Sequence, residues 1–202
     1  MIKIIDYKAG NAPSVMNAVR HLGYAAEFAK TAQELFGASH IILPGVGSAG
    51  ATMKSLRELG MIDMLERQVR EEGTPFLGIC VGMQILFDRS EEEETLCLGW
   101  LPGEVVKFDA NDVRVPQMGW NKVTFVKQTP VDVCDEYFYF VNSYHAKLSE
   151  PSDLWGVSDY GSTFTATVNR GNIFGAQFHA EKSGEAGLAL LKSFLSLKKG
   201  DC

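Results

Sequence analysis

Cysteine is scarce. Four residues in 202, at positions 80, 97, 134 and 202, are too few and too scattered for a disulfide framework, and none stands in a C-x-x-C pair. A zinc ribbon and a thioredoxin-like redox motif are therefore unsupported, and no metal or other cofactor is expected. Free thiols suit a reducing cytoplasm. Basic charge is also short: 19 Lys and Arg stand against 25 Asp and Glu, giving a net charge of −6. The only basic pair of note is Lys198-Lys199, so nothing marks a nucleic-acid footprint. No apolar stretch approaches the roughly 20 residues of a membrane span. The opening Met1–Asp6 lacks the apolar run of a secretory signal. The expected location is cytoplasmic, with neither membrane nor nucleic acid as a partner. There are no repeats, low-complexity tracts or linkers, which leaves one domain over residues 1–202.

What is present alternates. Ile2–Ile5, Ala25–Ala29, Ile41–Leu43 and the run into Cys80 read as strands. Between them lie helical patterns from Ser14 to Leu22, from Thr31 to Leu35, around Met53–Leu59 and over Ile62–Arg70. This alternation predicts a flavodoxin-like α/β fold with a largely parallel sheet flanked by helices. Beyond the acidic run Glu91–Glu94, shorter β segments begin at Glu104, Lys122, Tyr137, Leu154, Phe164 and Ile173. They predict antiparallel strands added in the C-terminal half, closed by a helix over Gly187–Leu197.

Ligand sites in such sheets lie beyond the C-terminal strand ends. Cys80 stands at one of these, in Gly78-Ile79-Cys80-Val81-Gly82, with apolar residues resuming at Met83, Ile85, Leu86 and Phe87. The spacing predicts strand, tight turn and helix, a cysteine form of the G-x-S-x-G elbow whose helix N-terminus favours a thiolate. A small buried strand cysteine is the competing reading of this short pattern.

A nucleophilic cysteine needs a base, and the base needs an orienting group. Of four histidines, His21 lies late in a helix and His40 opens a strand at its wrong edge, whereas His145 and His179 remain candidates. His179 ends the last strand with Glu181 two residues on, on the same side of a strand-like path. Attack on a carbonyl also needs oxyanion donors. Gly45-Val46-Gly47 and the N–H of Val81 can supply them. The same glycine-rich loop could cradle a phosphate, but neither G-x-G-x-x-G nor a Walker-type G-K-[ST] is present.

Three stretches, Pro44–Gly47, Gly78–Gln84 and Gln177–Ser183, together resemble the class I (triad) glutamine amidotransferases. Within them the chain is most similar to the glutaminase subunits of imidazole glycerol phosphate synthase. That closer likeness is carried by Asp6-Tyr7, Gly10-Asn11, Ser14-Val15, Met118-Gly119-Trp120-Asn121 and Tyr139-Phe140-Val141 with Ser143-Tyr144. The resemblance implies a Cys80–His179–Glu181 triad that hydrolyses glutamine to glutamate and ammonia. It implies an oxyanion hole at Gly45, Val46, Gly47 and Val81, and glutamine contacts at Gln84, Glu92, Ser143 and Tyr144. Ammonia would pass to a (β/α)8-barrel cyclase in a heterodimer that makes imidazole glycerol phosphate and AICAR in histidine biosynthesis. Asn11, Met118, Trp120, Tyr139 and Lys182 match the family's interface positions. Gly119 and Asn121 suggest that Met118 and Trp120 sit on a loop; ordinary core packing is the alternative for those two.

The sequence departs from the family pattern at Lys8 for glycine, Gln117 and Asn142 for histidines, and Ala180 for proline. The last change should loosen the segment that holds the triad. These departures keep open a paralogue that feeds ammonia to a different synthase, such as one amidating a surface-glycan sugar. More distant alternatives are a cysteine peptidase or chaperone-like relative, and a non-enzymatic binding subunit. The resemblance implies a glutaminase that would waste ammonia unless coupled, so low activity is expected without the partner, and the glycines of 45–47 would allow the peptide flip that couples the sites.

Overall fold

The computed structural model describes residues 1–8 and 11–201; Gly10, part of the family likeness, lies outside them. Thirteen strands form one sheet. They are β1 (Ile2–Ile5), β2 (Ala26–Ala29), β3 (His40–Gly45), β4 (Phe76–Cys80), β5 (Arg89–Ser90), β6 (Thr95–Leu96) and β7 (Gly103–Lys107). Then follow β8 (Gln117–Phe125), β9 (Glu136–Asn142), β10 (Tyr144–Leu148), β11 (Leu154–Tyr160), β12 (Ser162–Arg170) and β13 (Ile173–Ala176). The helices are α1 (Ala12–His21), α2 (Ala49–Glu58), α3 (Ile62–Leu65), α4 (Val81–Gln84) and α5 (Gly184–Ser196). Among the described residues no helix is long and apolar enough to cross a membrane.

The centre is a parallel core in the order β2-β1-β3-β4-β13. Such a sheet is covered on both faces, and its strands are accordingly apolar throughout. Every residue of β3 and of β4 is buried. Register brings Gly45 beside Cys80, and Ala176 beside Ile79. The loops after β1, β3, β4 and β13 therefore leave the same edge.

Beyond β13 the pairing turns antiparallel at β12, and the sheet forks there. One arm runs through β10 and β7, the other through β11, β8 and β9. The second arm is tied back by aromatic packing: Phe138 stacks on Phe178 at 4.0 Å between ring centroids, and Phe140 meets Phe178 edge-on.

Several expected boundaries shift. α1 starts at Ala12 rather than Ser14, because Pro13 fits a first helical turn. The helix over Ile62–Arg70 is α3 followed by a wider π-type turn over Glu66–Glu71. The helix after Cys80 is a single turn. The apolar residues beyond it are buried on every side, so their spacing did not mark one helical face. Three strands were not expected from sequence: the short β5 and β6, and β10, where His145 and Lys147 obscure the apolar pattern.

Candidate active site

The elbow is built as its glycines require. Cys80 has φ +55° and ψ −112°, a conformation costly for a residue with a Cβ and held only by its surroundings. A Cβ on Gly82 would run into the Leu43 carbonyl oxygen, and one on Gly78 into the Gly82 carbonyl. The two glycines let β4, α4 and β3 approach closely enough to fix that strain. A one-turn helix has a weak dipole, so it offers Cys80 less than a full helix would. It still presents the Val81 N–H, which has no acceptor within its own helix.

His179 follows β13 and is buried beside Cys80. Its Nδ1 lies 2.9 Å from Oε1 of Glu181. The pair does not sit on a strand-like path, as the sequence suggested; Ala180–Lys182 form a 3-10 turn that folds the carboxylate back onto the ring. Burial opposes a charge on His179, but the neighbouring Cys80 sulfur and the Glu181 carboxylate outweigh it and raise the pKa to about 10. The imidazole is thus held as a cation between sulfur and carboxylate.

Ala180 takes the place of the expected stiffening proline and is fully buried. Hydrogen bonds tie the segment down instead. The His179 N–H donates to the Tyr139 carbonyl at 2.9 Å. Ser183 Oγ accepts from the Tyr139 N–H at 3.0 Å and donates to the His179 carbonyl at 2.7 Å.

A cavity of about 330 Å³ opens above the sulfur. Cys80, His179, Val46, Gly47 and Val81 line it, as do all four expected glutamine contacts, Gln84, Glu92, Ser143 and Tyr144. Gly45 does not; it packs in β3 against Gly82, where a Cβ would meet the Gly82 nitrogen at 2.5 Å. Gly47 has φ +95°, and the Val46 N–H lies against the Tyr7 hydroxyl. Glu92 is half-buried, and its Oε2 accepts the Ala49 N–H at the start of α2 (2.8 Å). Burial pushes its carboxyl pKa up, the Ala49 N–H pulls it down, and neighbouring Glu93 adds to the rise. Among the lining residues the Glu92 carboxylate suits an ammonium group, and the Cys80 sulfur an acyl carbon.

The remaining candidates divide. Met118 and Trp120 are 66% and 52% exposed, on strand β8 rather than on a loop, and are not core residues. Alternation along the strand turns both outward. Tyr139 meets Trp120 edge-on at 5.9 Å, and Lys182 is exposed at the cavity rim. Asn11 points inward, to Glu181. His40 packs against Phe194, and His145 against Phe108 and Phe164, so neither serves Cys80.

The sequence reading missed Gln177, Val141 and Pro116. Gln177 Nε2 reaches Cys80 Sγ, Sγ faces the Val141 carbonyl, and Pro116 lines the cavity. Gln177 precedes His179 by two residues, a spacing that puts both on one side of a strand and could have flagged it. A larger depression of about 460 Å³ lies between β9 and α5. Its Cys134 is exposed among carboxylates with no base beside it.

The family described as glutamine amidotransferase class-I matches residues 3–197. Imidazole glycerol phosphate synthase subunit HisH of Leptospira interrogans is 44% identical over 98% of this chain and 100% of its own length. The chloroplastic imidazole glycerol phosphate synthase hisHF of Arabidopsis thaliana is 41% identical over 98% of this chain but only 34% of its own length. The PurLQS structure from Thermotoga maritima superposes with a TM-score of 0.77 over 96% of both chains at 19% identity, a likeness of fold.

Proposed function

The chain belongs to the class I glutamine amidotransferase family, and from that premise we propose that it is the glutaminase subunit of an imidazole glycerol phosphate synthase in histidine biosynthesis. The reading rests on His179, set between Cys80 and Glu181 in the lining of a cavity that also carries the Glu92 carboxylate.

The Cys80 thiolate attacks the side-chain amide carbon of glutamine. The oxyanion that forms takes the N–H of Val81 and an N–H of the 46–47 loop. His179 gives its proton to the departing nitrogen, and ammonia leaves behind a γ-glutamyl thioester. The neutral imidazole then takes a proton from water, which attacks the thioester; glutamate leaves and the thiolate returns. Glu92 holds the substrate ammonium, while Gln84 and the backbone at Ser143 and Tyr144 hold the rest.

Ammonia passes to a cyclase partner. In the Arabidopsis relative, a region like this chain is about a third of one longer synthase polypeptide, which supports a second component. We take that component to be a (β/α)8 barrel docking on Met118, Trp120, Tyr139 and Lys182 in a cytoplasmic heterodimer. The paralogue reading gains nothing from Gln117 and Asn142. They face one another across the β8–β9 ladder, where two polar side chains replace two others.

An electrophilic glutamine analogue tests the assignment. It should label Cys80 alone and abolish glutamine hydrolysis in step with labelling. Labelling elsewhere, or hydrolysis that survives full labelling, would refute it.

A further inference from the structure

We infer that Gln177 is a catalytic residue for glutamine hydrolysis: its side-chain amide donates a hydrogen bond to Cys80 Sγ and holds the thiolate. This rests on Cys80 being the nucleophile, and not on where the ammonia goes.

Gln177 is fully buried, and among the described residues its side chain has two partners, both in the site. Its Oε1 accepts from Gln84 Nε2 at 3.0 Å, and its Nε2 lies 3.7 Å from Cys80 Sγ. A terminal amide can sit either way round, and its neighbours decide the direction of this run of hydrogen bonds. It is fixed from the far end. Gln84 Nε2 also lies 3.1 Å from the Tyr144 backbone carbonyl oxygen, which can only accept. Gln84 must therefore present its NH2 group there. That same nitrogen faces Gln177, so Gln177 must answer with its oxygen. Its NH2 group is then left pointing at sulfur. Turning Gln177 over would set nitrogen against nitrogen and an oxygen against the thiolate.

The surroundings of Sγ give this donor its importance. The Val141 carbonyl oxygen lies 3.8 Å from the sulfur. A thiol can donate to that oxygen, but a thiolate is repelled by it. His179 supplies positive charge, yet it loses its proton to the leaving ammonia, just when the thioester forms. During hydrolysis of the thioester the sulfur must leave as a thiolate while His179 is regaining its proton. Gln177 carries no titrating group, so its N–H stays aimed at sulfur through both half-reactions. A hydrogen bond that favours the charged form lowers a thiol pKa and eases its departure.

The test is the pH dependence of Cys80 alkylation by iodoacetamide, followed on the Cys80 peptide by mass spectrometry with neither glutamine nor partner present. Gln177→Met removes the donor at similar volume, and Gln177→Glu puts a carboxylate beside the sulfur. Gln177→Met should move the alkylation midpoint up by about one pH unit, and Gln177→Glu further. The kcat for glutamine hydrolysis should fall about tenfold or more with little change in KM. If neither variant folds, as judged by circular dichroism, Gln84→Met severs the contact that orients Gln177 and should raise the same midpoint. Midpoints unchanged in every folded variant would overturn the inference while leaving Cys80 as nucleophile. A Cys80 that is not alkylated in the native protein would remove the catalytic reading itself.

Discussion

Asn11 and Glu181, 170 residues apart in sequence, are joined by a 2.7 Å hydrogen bond from Asn11 Nδ2 to the same Oε1 that faces His179. The residue at the start of α1 thus braces the last member of the triad from outside. Among the described residues Oε2 of Glu181 is buried and has no hydrogen-bond partner, so within them Oε1 carries the contacts that place the carboxylate.

Asn11→Ala should therefore lower kcat about tenfold, since an orienting bond to a charged group is lost while the cavity stays intact. Asn11→Asp should be worse, because it sets a second carboxylate against the first. Steady-state kinetics on both variants, with folding checked by circular dichroism, measure this. Equal kcat values in all three proteins would mean that Asn11 acts at the partner surface alone.

The His179–Glu181 contact also predicts a pH dependence of stability. The folded pKa of His179, about 10, stands above the ordinary 6.5, so the fold favours the protonated ring. Stabilisation of this sign is fully present below about 6.5 and is lost as pH rises through about 10. Glu181→Gln removes one cause of the rise. Urea unfolding of the native protein and this variant should differ more at pH 6 than at pH 10.5. A gap that is constant with pH would contradict the assignment.

Trp120 and Met118 are large, apolar and exposed, and neither lines the cavity above Cys80. Trp120→Ala should weaken cyclase binding by about 2 kcal/mol or more, roughly 30-fold in Kd. Thermal stability should change little, because the ring is half-exposed and packs mainly on Tyr139. Titration calorimetry with the partner reads the affinity. A native Kd would move the interface elsewhere.

Lys8 has φ +69°, in the left-handed region, where the family pattern carries glycine. Lys8→Gly should stabilise the fold by roughly 0.5–1 kcal/mol through relief of this strain. Chemical denaturation measures it. A loss of stability would show that the lysine side chain compensates for its backbone.

Most of this architecture is legible in the sequence, for physical reasons. The parallel core announces itself as short apolar runs, and the elbow as two glycines that no other residue can replace. His179 and Glu181 are legible as a histidine at a strand end with a carboxylate two residues on, although a 3-10 turn and not a strand-like path brings them together. What stays hidden depends on long-range packing. Nothing local tells that Asn11 turns inward to Glu181, or that Gly45 serves the packing of β3 rather than the cavity. Gln177 looks like one more strand residue until Gln84 and Tyr144 are placed beside it. Glycine and asparagine within β8 suggest a loop, but pairing with β9 from Gln117 to Val123 carries the strand through them.

Cys80 should be the source of the ammonia that the partner consumes. This is tested most directly with Cys80→Ala assembled with the cyclase and supplied with either glutamine or ammonium salt. Glutamine-dependent synthesis should disappear while ammonia-dependent synthesis continues at the native rate. Synthesis from glutamine that survives in the variant would contradict this role of Cys80.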